Sequence, residues 1–292
     1  MYRSIVFFLL LCFSLQPKAQ LVEVRADYTT VGDVQFSAYN NTKAPLYLNI
    51  DFADLENTTF DEPLPYIKLL EPGFNSLFML HRRLDADVPR FNYQMKTYRS
   101  NPMAVVDLDF PYLIPLENGR KANVFDVRSI AGFWGNEEPD SWNVTGFKVK
   151  PGDKVFAGRT GTVAEITGLN RSTDPALWYH TWNNSVTVLL PDGTLMVYRN
   201  IELKNKELEL GEKIFAGQYI GDVVPRADEL ILVVFQHSLN DEDPRFIIPQ
   251  FVTAEDKQEL LISAKEYDVV HPDDIIQREM TRKEIRKFKR QK

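Results

Sequence analysis

Two segments of this chain say nearly the same thing. Residues 151–163 read PGDKVFAGRTGTV and residues 210–223 read LGEKIFAGQYIGDV. Each copy is a Gly, an acid, a Lys, an apolar pair and Ala-Gly, then a further Gly that opens a second apolar run. Gly with an adjacent acid marks a tight turn, and the apolar pairs after it mark strands. A strand–turn–strand unit of this size cannot bury its own apolar face. Two copies can, by pairing across an internal two-fold so that each covers the other. The second half of the chain is therefore predicted to be a small closed β-structure with a duplicated core. Biotinyl and lipoyl carriers, secretion adaptors and one group of peptidases share that logic, and periodicity alone does not choose among them.

The rest of the composition sets limits. At 292 residues the chain has room for one or two cores. Apolar residues make up 44% and charged residues 26%, the balance of a folded protein. The net charge of −7 argues against nucleic acid as a partner. The first residues, MYRSIVFFLLLCFSLQPKAQ, set Arg3 before an apolar stretch from Ile5 to Leu15. That stretch is shorter than the about twenty residues a membrane-spanning helix needs. It reads as a signal peptide over 1–19, cleaved near Ala19. The expected destination is outside the cytoplasm, in the periplasm or cell envelope, with no transmembrane span in the mature chain. Cys12 is the one cysteine, so the mature chain has neither disulfide nor thiol chemistry.

A mainly β fold is predicted throughout, with a short helical tail. Residues 20–115 read as a β-sandwich accessory domain. LYLNIDF alternates cleanly, with Leu46, Leu48, Ile50 and Phe52 on one face, and VEVRADY and VQFSAYN flank a TTVGD hairpin turn. Residues 110–123, with two prolines and a Gly, suit a boundary. Residues 116–252 hold both repeats and the LPDGT turn at 190–194. Residues 253–292 are predicted as a helical basic tail, with AEDKQELLISAKEY at 254–267 showing helical spacing through Leu260, Leu261 and Ala264. Its basic end is either a solvated helix or a contact for an acidic partner or anionic surface.

The order of elements in the second domain resembles that of the lysostaphin/LytM-type zinc metallopeptidases, whose core is a duplicated hybrid motif. The strings that carry the resemblance are PGDKVFAGRTGTV, NNSVTVLLPDGTLMVYRNI, LGEKIFAGQYIGDV, LILVVFQ and FIIPQF. The earlier stretch NNTKAPLYLNIDFADLENTTFDEPLPYIKLLEPG resembles a module preceding the peptidase in some secreted members. The resemblance implies a barrel-like sandwich and a cell-wall context. It also implies which residues would hold zinc and catalyse, and these are missing. Gly146 stands at the Asp position and Asn200, in YRNI, at that of a catalytic His. Leu230 and Leu232, in LIL, stand for a catalytic His and a zinc ligand. The upstream His would fall in FWGNEEPDSW, which has none. No catalytic residue, metal ligand or cofactor is expected on this reading, zinc included.

The only histidines are His81, His180, His237 and His271, and no H-x-H, H-E-x-x-H or C-x-x-C occurs. A candidate binding groove combines Trp178, His180 and Trp182 of the aromatic loop ALWYHTW with Tyr198 and Arg199. The function these residues imply is a secreted, catalytically inactive peptidase-like protein that binds peptidoglycan or a partner hydrolase in the bacterial envelope. The alternative is an active zinc metalloendopeptidase, a peptidoglycan hydrolase with relocated ligands such as His180 and an acid. A biotinyl or lipoyl carrier is disfavoured, because LPDGT contains no Lys.

Overall fold

The computed structural model describes residues 20–84, 87–127, 139–168, 184–203, 208–239, 244–254 and 257–291. The expected leader, 1–19, lies outside them. The first strands are β1 (Val22–Tyr28), β2 (Val34–Asn40), β3 (Leu46–Glu56), β4 (Thr58–Thr59), β5 (Tyr66–Leu70), β6 (Gly73–Arg82) and β7 (Arg90–Tyr98). They form two antiparallel sheets, β1-β2-β6-β4 and β5-β3-β7. The alternation in β3 explains the pairing of the sheets: Leu46, Leu48 and Ile50 are buried and Asp51 is exposed. Between the sheets Phe36 stacks on Phe78 at 4.7 Å and meets Phe52, Phe91 and Tyr93 edge-on.

The chain continues through β8 (Pro111–Leu113), β9 (Lys121–Asp126), β10 (Val144–Lys148), β11 (Lys154–Phe156), β12 (Gly161–Thr167), β13 (Ser185–Leu189), β14 (Leu195–Arg199) and β15 (Ile201–Glu202). It then forms β16 (Lys213–Ile214), β17 (Tyr219–Val223), β18 (Glu229–Gln236), β19 (Arg245–Phe246), β20 (Gln250–Ala254), β21 (Lys257–Glu259) and β22 (Glu266–Asp268). The long sheet has the order β16-β12-β13-β14-β18-β10-β9-β22, with smaller sheets β11-β17-β15 and β21-β20-β8 beside it. An apolar core containing Phe147, Val188, Met196, Tyr198, Leu230 and Leu232 fills the space between.

The two repeats exchange strands. β11 of the first copy pairs with β17 of the second, and β16 of the second pairs with β12 of the first. The hydrogen bonds repeat as well. The Gly152 N–H donates to the Val223 carbonyl at 2.9 Å, and the Gly211 N–H donates to the Val163 carbonyl at 2.8 Å. Asp153 accepts the Lys150 N–H at 2.8 Å, and Glu212 accepts the Glu209 N–H at 3.2 Å. The acid of each turn thus ties down its own corner, which is why an acid follows each Gly. The Ala-Gly pairs meet each other, with the Gly217 N–H donating to the Ala157 carbonyl at 2.7 Å.

Gly152 and Gly211 occupy equivalent left-handed positions, at φ +82° and +83°. Their surroundings differ. A Cβ on Gly152 meets open space, whereas one on Gly211 runs into the carbonyl oxygen of Lys43. Gly152→Ala is expected to cost about 1–2 kcal/mol, the left-handed penalty alone. Gly211→Ala should cost about 1–3 kcal/mol more, because backbone must move. Urea unfolding of the two variants checks this, and equal losses would show that Lys43 does not rest on the second turn.

The tail departs from expectation at its start. Of the expected helix at 254–267, the described residues 257–267 are not helical: β21 pairs with β20 and β22 with β9. The helical spacing of Leu260, Leu261 and Ala264 is overridden by tertiary pairing. Tyr267 is buried in the core, its hydroxyl accepts the Ile262 N–H at 2.8 Å, and Leu260 and Ile262 point outward. Helices appear only later, as α1 (Asp273–Gln277) and α2 (Arg282–Gln291). α2 starts in a capping box: Glu284 accepts the Thr281 N–H at 2.7 Å while Thr281 Oγ1 accepts the Glu284 N–H at 3.3 Å.

Candidate functional site

Register decides which side chains share a face, because directly opposed residues point the same way and neighbours alternate. Across β14, β18 and β10, Tyr198 opposes Leu232 and Leu232 opposes Thr145, while Leu230 opposes Phe147. These face the inner core, where Leu230 and Tyr198 are fully buried and Leu232 is 2% exposed. In the alternate register Arg199 opposes Ile231 and Ile231 opposes Gly146. The four positions assigned to the former site are therefore split. Leu230 and Leu232 point inward, and Gly146 lies on the outer face beside Ile231, with Val233 also on that face.

Asn200 belongs to neither group. It ends β14 in a left-handed conformation at φ +66°, which Asn tolerates better than most residues. Its amide donates to the Glu229 carbonyl at 2.8 Å, and its own carbonyl accepts the Val224 N–H at 3.0 Å. The side chain is used to hold strand ends together.

The candidate groove is also revised. Tyr198 cannot line it. Its hydroxyl accepts the Gly158 N–H at 2.7 Å and donates to Met196 Sδ at 3.0 Å, inside the core. Burial pushes its pKa upward. Arg199 does lie on the outer face, half-buried, and burial brings its guanidinium down to about 10. Trp178, His180 and Trp182 lie outside the described residues.

An apolar layer covers the outer face. Val144, Leu195, Ile231, Val233, Phe235 and Phe246 form it, with Trp142 and, from the first sandwich, Tyr47 and Leu69 packed against it. Gly146 sits under a lid of its own. A Cβ there would lie 2.6 Å from Cε1 of Phe125, and closer still to other ring atoms. The space in which an Asp would reach a metal is occupied by an aromatic ring. Zinc prefers nitrogen, sulfur and carboxylate donors in tetrahedral array. Gly146, Ile231 and Val233 supply none, and the Asn200 amide is engaged, so these residues do not fit that ion. Among the described residues no group of three or more His, Cys, Asp or Glu could hold a metal.

The described histidines are scattered. His81 lies 3.4 Å from Asp33 at the sandwich edge. His271 Nε2 is 3.0 Å from the Ile114 carbonyl. His237 follows β18, and its Nδ1 is 2.7 Å from Oγ of the fully buried Ser100, which also accepts the His237 backbone N–H. This contact joins the last strand of the first sandwich to the long sheet. It is a seam, and among the described residues no acid is hydrogen-bonded to the imidazole.

Burial lowers the pKa of both His237 and His271, for His271 against the opposing pull of the Ile114 carbonyl. Both are thus held neutral in the fold. The unfolded chain binds their protons first as pH drops through about 6.5, so stability is full above that value and declines from it toward the lower folded pKa. A lower Tm at mildly acid pH is expected, with the decline reduced in a His237→Gln, His271→Gln double variant. Calorimetry across that interval reads it, and an unchanged slope in the double variant would remove these two residues from the account.

One concave feature was not legible in the sequence. A cavity of about 860 Å³ opens where the first sandwich meets the second repeat, lined among others by Lys43, Tyr47, Glu71, Glu209, Glu212 and Lys213. Its walls come from segments far apart in sequence, and no local pattern announces it. Among the described residues no helix is long and apolar enough to cross a membrane.

Strand exchange between two copies of one turn defines the class, a duplicated hybrid β-barrel preceded by a sandwich. Solved structures that the chain is similar to include LytM/M23-type peptidases. One is the catalytic domain of lysostaphin from Staphylococcus simulans, at 17% identity and TM-score 0.30, covering 44% of this chain and 88% of that one. A second is Helicobacter pylori Csd3, at 11% identity and TM-score 0.35, covering 92% of this chain and 81% of that one. A third is the deep-sea M23 metalloprotease pseudoalterin, at 10% identity and TM-score 0.35, covering 56% and 98%. No family model and no curated protein matches the sequence.

Proposed function

We propose that this chain is a secreted, non-catalytic, peptidase-like protein that works by binding, to cell-wall peptidoglycan or to a partner hydrolase in the bacterial envelope. The observation that carries the reading is the Phe125 ring lying where a side chain at Gly146 would go. A site that had lost one ligand would leave a hole. Here the outer face is packed with apolar side chains instead. The cleft beside the second repeat and the half-buried Arg199 supply polar surface for recognition.

The test uses the full mature chain. Zinc content is measured by elemental mass spectrometry, and the protein is mixed with purified peptidoglycan sacculi. The expected result is sub-stoichiometric zinc and pelleting with sacculi without release of soluble fragments. Pelleting only in the presence of a purified envelope hydrolase would assign the partner instead of the wall. Stoichiometric zinc with chelator-sensitive cleavage would overturn the reading in favour of relocated ligands.

A further inference from the structure

Helix α2 reads RKEIRKFKRQ and carries Arg282, Lys283, Arg286, Lys287, Lys289 and Arg290 in a protein whose net charge is −7. Its spacing sorts these residues. Phe288 packs inward on the cluster of Leu113, Ala216 and Ile276, and Ile285 is half-buried on the same side. At 100° per residue Lys283, Arg286, Lys287 and Arg290 fall on the opposite arc, Arg282 and Lys289 flank the apolar side, and all six are exposed. The four on the opposite arc have i, i+3, i+4, i+7 spacing.

The helix dipole does not explain the stripe. It favours cations in the last turn, which accounts for Lys289 and Arg290, but it disfavours Arg282 and Lys283 in the first. Like charges at i, i+4 further disfavour the helix. The one acid, Glu284, offers no relief. Its carboxylate is held by Lys213 Nζ at 2.8 Å and by Thr281, which bring its pKa down to about 2. None of the six cations forms an ion pair with a described residue. The helix is nonetheless fixed in place. Glu279, just before it, receives the buried Arg159 at 2.9 Å, and Ile276 is buried under Gly217.

We propose that the outer face of α2 docks on an anionic phospholipid surface. The charges are presented along one face of a fixed helix, without convergent donors or a cavity among them, which suits an array of spaced phosphates better than one small anion. Affinity comes from charge alone, since the apolar side of the helix is spent on the protein core. Docking is therefore reversible and weakens with salt.

The experiment is sedimentation of the full mature chain with vesicles. With about 30% phosphatidylglycerol in phosphatidylcholine the protein should pellet, and with phosphatidylcholine alone it should not. Raising salt from roughly 0.05 M to roughly 0.3 M should release it. A variant with Lys283→Gln, Arg286→Gln, Lys287→Gln and Arg290→Gln should bind at least about tenfold more weakly. These side chains are exposed, so its Tm should match the parent's, which separates lost binding from lost fold. Equal pelleting with both lipids, or undiminished pelleting of the variant, overturns the proposal. So does retention on heparin without vesicle binding, which would point to a soluble polyanion.

Discussion

Arg159→Met is expected to lower the Tm of this protein by about 10 °C, a loss of about 3–5 kcal/mol. Arg159 ends the first repeat's turn and its side chain is 3% exposed. Nη1 donates to Asp192 Oδ2 at 2.6 Å and to the Tyr112 hydroxyl at 3.0 Å, while Nε and Nη2 both donate to Glu279 Oε1. The guanidinium lies 3.7 Å over the ring of Phe110. Burial alone would depress its pKa, but Glu279, Tyr112 and Asp192 more than offset that, and the net shift is upward. Glu279 answers in the opposite energetic sense. Burial raises its pKa, and Arg159 only partly brings it back. The pair is thus worth little as a pair, yet either half is costly alone.

Met keeps much of the Arg stem's volume and removes the charge, leaving the largely covered carboxylates of Asp192 and Glu279 without their shared partner. The tail should loosen first, since Glu279 is its buried polar anchor. Trypsin should cut within 282–290 faster than in the parent. Adding Glu279→Gln to Arg159→Met should restore part of the loss, because an uncompensated charge is removed. A melting point within about 2 °C of the parent would show that the network contributes nothing net.

Arg159 also marks the limit of what sequence could reveal. The turn around it was legible, because Gly, acid and Lys each have a local reason to be there and the second copy repeats them. The hairpin at LPDGT and the alternation of β3 were legible for the same reason: local pattern and tertiary role agree. The partners of Arg159 were not, since Asp192 and Glu279 lie far along the chain and nothing local pairs them with it. Over 257–267 local spacing favoured a helix and lost to β9 and β20, whose free edges accept strands there. For the candidate site, motif alignment located the three strands concerned but not their facing. Gly146, Leu230 and Leu232 were aligned to one former site by motif, and register places them on two sides of one sheet.

Gly146→Asp tests that sheet most directly, and is expected to cost about 4 kcal/mol or more without creating a zinc site. Gly146 is buried in β10, and Phe125 of the neighbouring β9 fills the place of its side chain. Any Cβ forces that ring to move, and Lys148 Nζ sits 4.3 Å from its centroid on the other side. Gly146→Ala isolates the steric part and should cost about 1–3 kcal/mol. Phe125→Ala makes room, so in the Gly146→Ala background it should cost less than it does alone, a coupling of about 0.5–3 kcal/mol. The carboxylate of Gly146→Asp adds desolvation, because Ile231 and Val233 are apolar and offer it no donor side chain. Restoring one ligand cannot restore the site, since the positions across β18 still lack nitrogen or oxygen. Urea unfolding reads the stabilities, and elemental analysis reads the metal. A Gly146→Asp variant as stable as the parent, or one carrying stoichiometric zinc, would mean that the ring is a movable cover over a site still competent to bind, and the non-catalytic reading of this face would fall with it.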